Sequence, residues 1–153
     1  MSLDQQPPLG SAFKLDKYEL SRELAGSGIA TTWAAKTADD DRNYVVLRLN
    51  RNVTKKADTA EAFLRDAETG KLAPHANLVP VVQCGLADGE AFVVYEYFSG
   101  EALSSLITQA KTDGIPASIS LRIGRDMLEG LAAAHRATPA LAHGELNPFH
   151  MIV

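Results

Sequence analysis

The sequence predicts an α+β fold, in which an antiparallel sheet with one helix is followed by a helical region. Three observations favour this fold. Short runs with strand character alternate with turn residues through the first third of the chain. The dipeptide Asp88-Gly89, a favoured hairpin turn, lies between two further apolar runs. Beyond Ser99-Gly100 the apolar residues recur at helical spacing.

Five strands and one helix are expected in the first part of the chain. The turn Gly26-Ser27-Gly28 separates the first two strands, and the acidic run 39–41 is expected to be a solvated hairpin loop. Helical spacing predicts the helix over 59–72, before Pro74. The predicted strands are 18–24, 31–35, 44–49, 78–84 and 90–97.

The second part is predicted to contain a short helix over 103–111 and a long one over 118–136. Apolar residues such as Leu121 and Leu128 spread around more than one face of the long helix, which is typical of a helix covered on several sides. We therefore expect a protein partner or self-association through this helix. The predicted organisation is a flexible leader (1–16), a sheet region (17–98) and a partial helical region (99–153).

The composition indicates a globular protein and excludes several partner classes. The 153 residues are 46% hydrophobic and 22% charged, which excludes a wholly disordered chain. A net charge of -4 argues against nucleic acid as a partner. The single cysteine, Cys84, permits no intrachain disulfide and no cysteine-cluster metal site. With neither a long apolar run nor a secretory signal in this segment, we expect no membrane association and a cytoplasmic location.

The order of the motifs resembles the protein kinase family, in particular bacterial Ser/Thr kinases of eukaryotic type, from about Tyr18 to Val153. A glycine-rich hairpin, a strand ending in a cation, a helix with an acidic residue, a hinge and a catalytic loop follow one another as in that family. The resemblance implies a kinase N-lobe followed by the first helices of a C-lobe. Because no Asp-Phe-Gly motif follows, a truncated domain is expected.

The resemblance implies nucleotide-binding roles for five residues of the sheet region. They are Gly26 and Gly28 in the glycine-rich turn, Trp33 over the adenine, Arg48 in place of the strand lysine, and Asp66 in place of the helix glutamate. A plain turn, a core tryptophan and an exposed strand arginine are the alternatives. We hypothesise an Arg48–Asp66 ion pair, in which a longer cation compensates for a shorter anion.

The segment from Phe92 to Gly100 resembles the family's hinge and the strand that precedes it. The resemblance implies that Tyr95 is the gatekeeper, or else only a core tyrosine. It also implies that adenine is contacted by the backbone carbonyl of Glu96 and the amide of Phe98.

The segment from His143 to Val153 keeps the spacing of the family's His-Arg-Asp catalytic loop but changes its chemistry. Glu145 replaces the catalytic Asp, and the uncharged Asn147 replaces a Lys. His150 replaces a magnesium-binding Asn and is a poor ligand for that hard cation. Gly144 replaces the Arg that pairs with a phosphorylated activation loop. We therefore expect no protein-bound metal, doubtful Mg²⁺ binding and weak ATP binding at most.

Three functions follow from these substitutions. The first is a pseudokinase-like domain with a regulatory, scaffolding or nucleotide-sensing role and no phosphate transfer by the chain as given. The second is a divergent Ser/Thr kinase that uses Glu145 as its base. The third is a structural interaction module that binds no nucleotide.

Overall fold

A computed structural model describes residues 13–153, which form two compact units. The first unit comprises the described residues up to Ala67 together with Val81–Tyr97, and the second comprises Glu68–Pro80 and Phe98–Val153. The structure thus groups 68–80 with the helical part of the chain rather than with the sheet. Most of the predicted leader lies outside the described residues.

The elements confirm the α+β class. Within the described residues 13–153, six strands form one antiparallel sheet in the order β1-β2-β3-β4-β6-β5. In chain order the elements are β1 (Phe13–Leu15), β2 (Tyr18–Gly26), β3 (Ala30–Thr37), β4 (Asp40–Leu49), α1 (Arg51–Thr54), α2 (Ala57–Lys71), β5 (Val81–Ala87), β6 (Glu90–Glu96), α3 (Leu103–Ala110), α4 (Ala117–Arg136) and a 3-10 turn (Pro148–His150).

The sheet has one strand more than the five predicted, because the end of the expected leader is ordered. Phe13–Leu15 pairs with β2, and Leu15 is almost completely buried. The short helix α1 is also absent from the prediction. It begins directly after Asn50, and four residues are too few to give a helical pattern in sequence.

The first unit buries apolar residues on both faces of its sheet. Successive side chains of a strand point to opposite faces, and β3, β4 and β6 contribute residues to both. What we call the aromatic face carries Leu15, Tyr18, Leu20, Trp33, Ala35, Tyr44, Val46, Phe92 and Val94. The opposite face, here called the helix face, packs Leu49 and Ala91 against Val53 of α1 and Ala60, Phe63 and Leu64 of α2.

The second unit is held together by close backbone contacts. The Asn77 side-chain amide donates to the Asp126 carbonyl of α4 over 2.7 Å. The chain end returns to the start of α3, where Glu101 and Val153 exchange two backbone hydrogen bonds of 3.1 and 2.9 Å. These bonds fix the segment after the 3-10 turn beside the first turn of α3.

The helices of the second unit expose apolar surface. Leu121 and Leu128 of α4 are 75% and 61% exposed. A groove of about 480 Å³, lined mainly by apolar residues, runs between α3 and α4 and includes Ile107, Ile123 and Met127. None of the helices within residues 13–153 has both the length and the apolar character needed to cross a bilayer.

We predict that Gly130→Ala destabilises the second unit. A Cβ at Gly130 would lie 2.9 Å from the carbonyl oxygen of Asn77, so backbone must shift, at a cost of about 1–3 kcal/mol. Gly124→Ala is the matched control on the same helix, because a Cβ there meets nothing within 4 Å. It should stabilise by up to about 1 kcal/mol through helix propensity. Urea unfolding measures both, and equal stability of the two variants would contradict the close approach.

Candidate kinase-like site

In the glycine-rich turn between β2 and β3, a side chain of the turn accepts hydrogen bonds from the backbone amides at the tip. The Ser27 hydroxyl oxygen accepts from the backbone N–H groups of Ile29 and Ala30, both over 3.2 Å. Asn50, which lies between β4 and α1, donates its side-chain amide to the Ser27 carbonyl over 3.2 Å and its backbone N–H to the Ile29 carbonyl over 2.9 Å. The turn is therefore closed by bonds within the first unit.

The two glycines of this turn have different surroundings. A Cβ at Gly26 would collide with the Glu23 carboxylate, whereas a Cβ at Gly28 would meet nothing within 4 Å. The atom met at Gly26 is the end of a flexible side chain that can move aside, and Gly28 leaves open space beside the tip, so local packing requires glycine at neither position.

Arg48 lies on the aromatic face and is bound to Glu90. One guanidinium nitrogen, Nη1, is 3.1 Å from the Glu90 Oε2, and the Glu90 side chain is only 9% exposed. The guanidinium also lies over the rings of Phe13 and Trp33, at 4.9 and 5.7 Å from their centroids. Arg51 of α1 binds the other Glu90 oxygen over 3.0 Å. Both oxygens of the nearly buried carboxylate are thus paired.

The expected Arg48–Asp66 ion pair is wrong. Asp66 is an exposed residue of α2, and α2 packs on the helix face. Arg48 points to the opposite face, since Tyr44 and Val46 of the same strand, four and two residues earlier, are core residues of the aromatic face. Strand alternation therefore directs the guanidinium away from α2, and Glu90 takes the place expected for Asp66.

Trp33 is a core residue of the aromatic face. It is 8% exposed, and its ring meets Phe13 edge to face with centroids 5.0 Å apart. Its indole N–H donates to the Thr31 hydroxyl over 3.0 Å. Thr32, its neighbour in the strand, is paired with Leu47 and belongs to the helix face.

Tyr95 and Glu96 are the last two residues of β6, and both are paired with residues of β4. Tyr95 is paired with Val45 and Val81 of the flanking strands, and burial raises the pKa of its hydroxyl. Glu96 lies 3.8 Å from the Arg42 guanidinium. Phe98, the other predicted hinge residue, begins the second unit and is 44% exposed.

The residues predicted to form the catalytic loop lie in the second unit and are bonded to one another. The Asn147 side-chain oxygen accepts from the Phe149 N–H over 2.9 Å and caps the 3-10 turn, while its amide donates to the Glu145 carbonyl over 3.2 Å. The His150 Nδ1 is 2.9 Å from the same carbonyl. The Glu145 side chain is exposed. Asn147 therefore has a local structural role.

Two further features of this loop bear on its chemistry. Gly144 has a φ of 76°, in the left-handed region that favours glycine, so an Arg there would be strained. The rings of His143 and His150 are stacked with centroids 6.0 Å apart. Within residues 13–153, no three His, Cys, Asp or Glu side chains are grouped so that they could hold a metal ion.

The sequence alone did not indicate the contacts of Glu90, Ser27 and Asn50. Glu90 begins the strand predicted after Asp88-Gly89, and its neighbours in sequence give no sign of an ion pair. Ser27 was read only as the middle of a glycine turn, although serine hydroxyls commonly bond nearby backbone in turns. The continuous run Val45-Val46-Leu47 hides which residues share a face, so only the pairing with neighbouring strands reveals it.

We predict that Arg48→Met strongly destabilises the first unit. Removing one partner of a nearly buried ion pair typically costs about 3–5 kcal/mol, although Arg51 will offset part of this. Arg48→Met combined with Glu90→Leu should recover much of the loss in urea unfolding. Asp66→Asn is the control and should change stability by less than about 0.5 kcal/mol. A cost for Asp66→Asn as large as that for Arg48→Met would contradict the Arg48–Glu90 assignment and restore the original ion-pair hypothesis.

We predict that Tyr95 contributes to alkaline unfolding. Its folded-state pKa lies above the ordinary value of 10.0, so its stabilising contribution is complete below about pH 10 and is lost as the pH rises through the folded pKa. Tyr95→Phe should therefore lose less stability than the parent protein between about pH 8 and about pH 11. The control Tyr97→Phe removes an exposed ring hydroxyl. Denaturation midpoints across this pH range measure the effect, and identical profiles for Tyr95→Phe and the parent would contradict it.

The chain is similar in sequence to known protein kinases. No protein-family model matches the chain. The tyrosine-protein kinase MasK of Myxococcus xanthus is 32% identical over 145 residues, which cover 88% of this chain and 22% of MasK. The serine/threonine-protein kinase PksC of Streptomyces coelicolor is 25% identical over 150 residues, which cover 94% of this chain and 27% of PksC. The chain thus spans about a quarter of these relatives.

The fold of this chain is similar to that of solved protein kinase domains. The crystal structure of the PknI kinase domain of Mycobacterium tuberculosis matches with a TM-score of 0.81 and 19% identity, over 95% of this chain and 58% of that domain chain. The antiparallel sheet and helices found here therefore correspond to part of a kinase fold. The chain is a homologue of bacterial serine/threonine and tyrosine protein kinases, and its fold matches the part of a protein kinase domain that includes the N-lobe sheet.

Proposed function

We propose that this chain is a pseudokinase-like domain that acts by binding, in a regulatory, scaffolding or nucleotide-sensing role, rather than by transferring phosphate. The observation that carries the proposal is the engagement of Arg48 by Glu90 on the aromatic face. A kinase needs a strand cation that pairs with the acidic residue of the helix and contacts the phosphates. Arg48, the cation expected for this task, is committed to another partner.

The glycine-rich turn supports the same proposal. In kinases this turn covers the nucleotide phosphates. Here the hydroxyl of Ser27 already accepts from the tip amides of Ile29 and Ala30. An incoming phosphate would have to displace these bonds, which lowers the net gain from binding. We therefore propose weak ATP binding at most.

The catalytic loop supports the absence of phosphate transfer. Asn147 is uncharged and caps its own turn, so it supplies no cation for a transferred phosphate. His150 offers nitrogen, whereas Mg²⁺ prefers oxygen ligands. Glu145 keeps the carboxylate of a catalytic base on a longer side chain, and a displacement of about 1 Å can reduce a rate roughly a hundredfold. We propose that Mg²⁺ is not held in a catalytic arrangement.

A protein partner or a second copy of the chain is the proposed binding target. The exposed leucines of α4, Leu121 and Leu128, offer apolar surface for such a contact. A net charge of -4 disfavours nucleic acid. The single cysteine fits a reducing compartment, and we propose a cytoplasmic location.

The second candidate is a divergent protein kinase. The named activities of MasK and PksC and the exposed carboxylate at Glu145 favour it. In that case Glu145 would orient the substrate hydroxyl, and the strand cation would have to come from a position other than Arg48.

Nucleotide titration and phosphate transfer together test the proposal. We expect no Mg²⁺-dependent rise in melting temperature with ATP and no incorporation of label from γ-labelled ATP into a generic protein substrate. A ligand at a hundred times its Kd would stabilise the fold by about 2.7 kcal/mol, so tight binding would be visible.

The contradicting result is label transfer that Glu145→Gln abolishes. Glu61→Gln, which neutralises an exposed carboxylate of α2, is the control and should leave any transfer unchanged. Transfer lost in Glu145→Gln but kept in Glu61→Gln would establish the divergent kinase instead.

A further inference from the structure

Leu47 is a residue of β4 whose side chain lies on the helix face. Leu47 is paired with Thr32 of β3 and with Val93 of β6. Leu49, two residues later in the same strand, packs against α1 and α2, and so does Ala91, two residues before Val93. Since side chains separated by two residues share a face, Leu47 stands on the helix face, at the side of the sheet where α2 packs.

A cationic side chain of β4 can pair with an acidic residue of α2 only if it lies on the helix face. The strand lysine of a kinase forms an ion pair with an acidic residue of the helix that packs on the sheet. A side chain on the opposite face would have to pass through the sheet to do so. Arg48 is on that opposite face, between the rings of Phe13 and Trp33 and the carboxylate of Glu90.

From this placement we propose that Leu47, rather than Arg48, occupies the position of the phosphate-binding lysine, and that this leucine determines the low affinity of the first unit for nucleotide phosphate. The inference deepens the proposed function and rests on it. Leucine carries no donor and no charge, so the position offers phosphate neither a hydrogen bond nor Coulomb attraction. Arg48 is instead a structural residue of the aromatic face.

The test restores a cation at position 47. Leu47→Lys should bind ATP at least tenfold more tightly than the parent protein in fluorescence titrations with a fluorescent ATP analogue, confirmed by competition with ATP itself. Leu47→Met, which changes the side chain without adding charge, should leave the affinity unchanged. Failure of a folded Leu47→Lys variant to gain affinity would overturn the inference.

If Leu47→Lys does not fold, a positive charge can be introduced at position 47 after the protein has folded. Leu47→Cys in a Cys84→Ala background keeps the position apolar during folding. Alkylation of the folded protein with bromoethylamine then converts the cysteine into a lysine-like side chain. The same tenfold gain is expected after alkylation, and no gain would overturn the inference.

The paired variant Arg48→Gln with Glu90→Gln separates this inference from the proposed function. It removes both charges together and so leaves no uncompensated buried ion. Its affinity for ATP should equal that of the parent. If the parent transfers phosphate from Mg-ATP while the paired variant keeps the parent's affinity, the proposed function fails but Arg48 is still excluded as a phosphate ligand, and the gain in Leu47→Lys decides the assignment of position 47. If the paired variant loses tenfold or more, Arg48 is a phosphate ligand and the inference falls.

Discussion

The ion pair between Arg48 and Glu90 is the constraint on which the first unit depends. A carboxylate that is only 9% exposed is tolerated in a folded protein only when it is paired. Arg48 comes from the end of β4 and Arg51 from α1, so Glu90, at the start of β6, fixes three elements together. The rings of Phe13 and Trp33 flank the Arg48 guanidinium and hold β1 and β3 beside it.

Polar groups are also bonded to near neighbours at two other motifs that resemble functional segments of kinases. Ser27 bonds the tip amides of the glycine-rich turn, and Asn147 caps the turn after the catalytic-loop position. A kinase keeps such groups available for phosphate or metal. In this chain they stabilise each unit locally, which supports the proposed binding role.

Turn residues and the periodicity of apolar residues predicted most of the strands and helices. The contacts of the site residues depend instead on the face of the sheet to which each side chain points. Asp88-Gly89 and Gly26-Ser27-Gly28 marked hairpins that the sheet contains. The pairing of Arg48 did not follow, because Val45, Val46 and Leu47 are all apolar and hide the alternation of faces. β1 was missed since three residues give too short a pattern, and the Glu90 partner is distant in sequence from Arg48.

Amide NMR of the glycine-rich turn tests the central claim most directly. The backbone signals of Ile29 and Ala30 report on hydrogen bonds that phosphate would take from Ser27. During titration of the isotopically labelled protein with a non-hydrolysable ATP analogue and Mg²⁺, the account predicts that both signals stay in place. Saturable downfield shifts of both signals at micromolar analogue would contradict it, because they would show that the turn exchanges its internal bonds for phosphate.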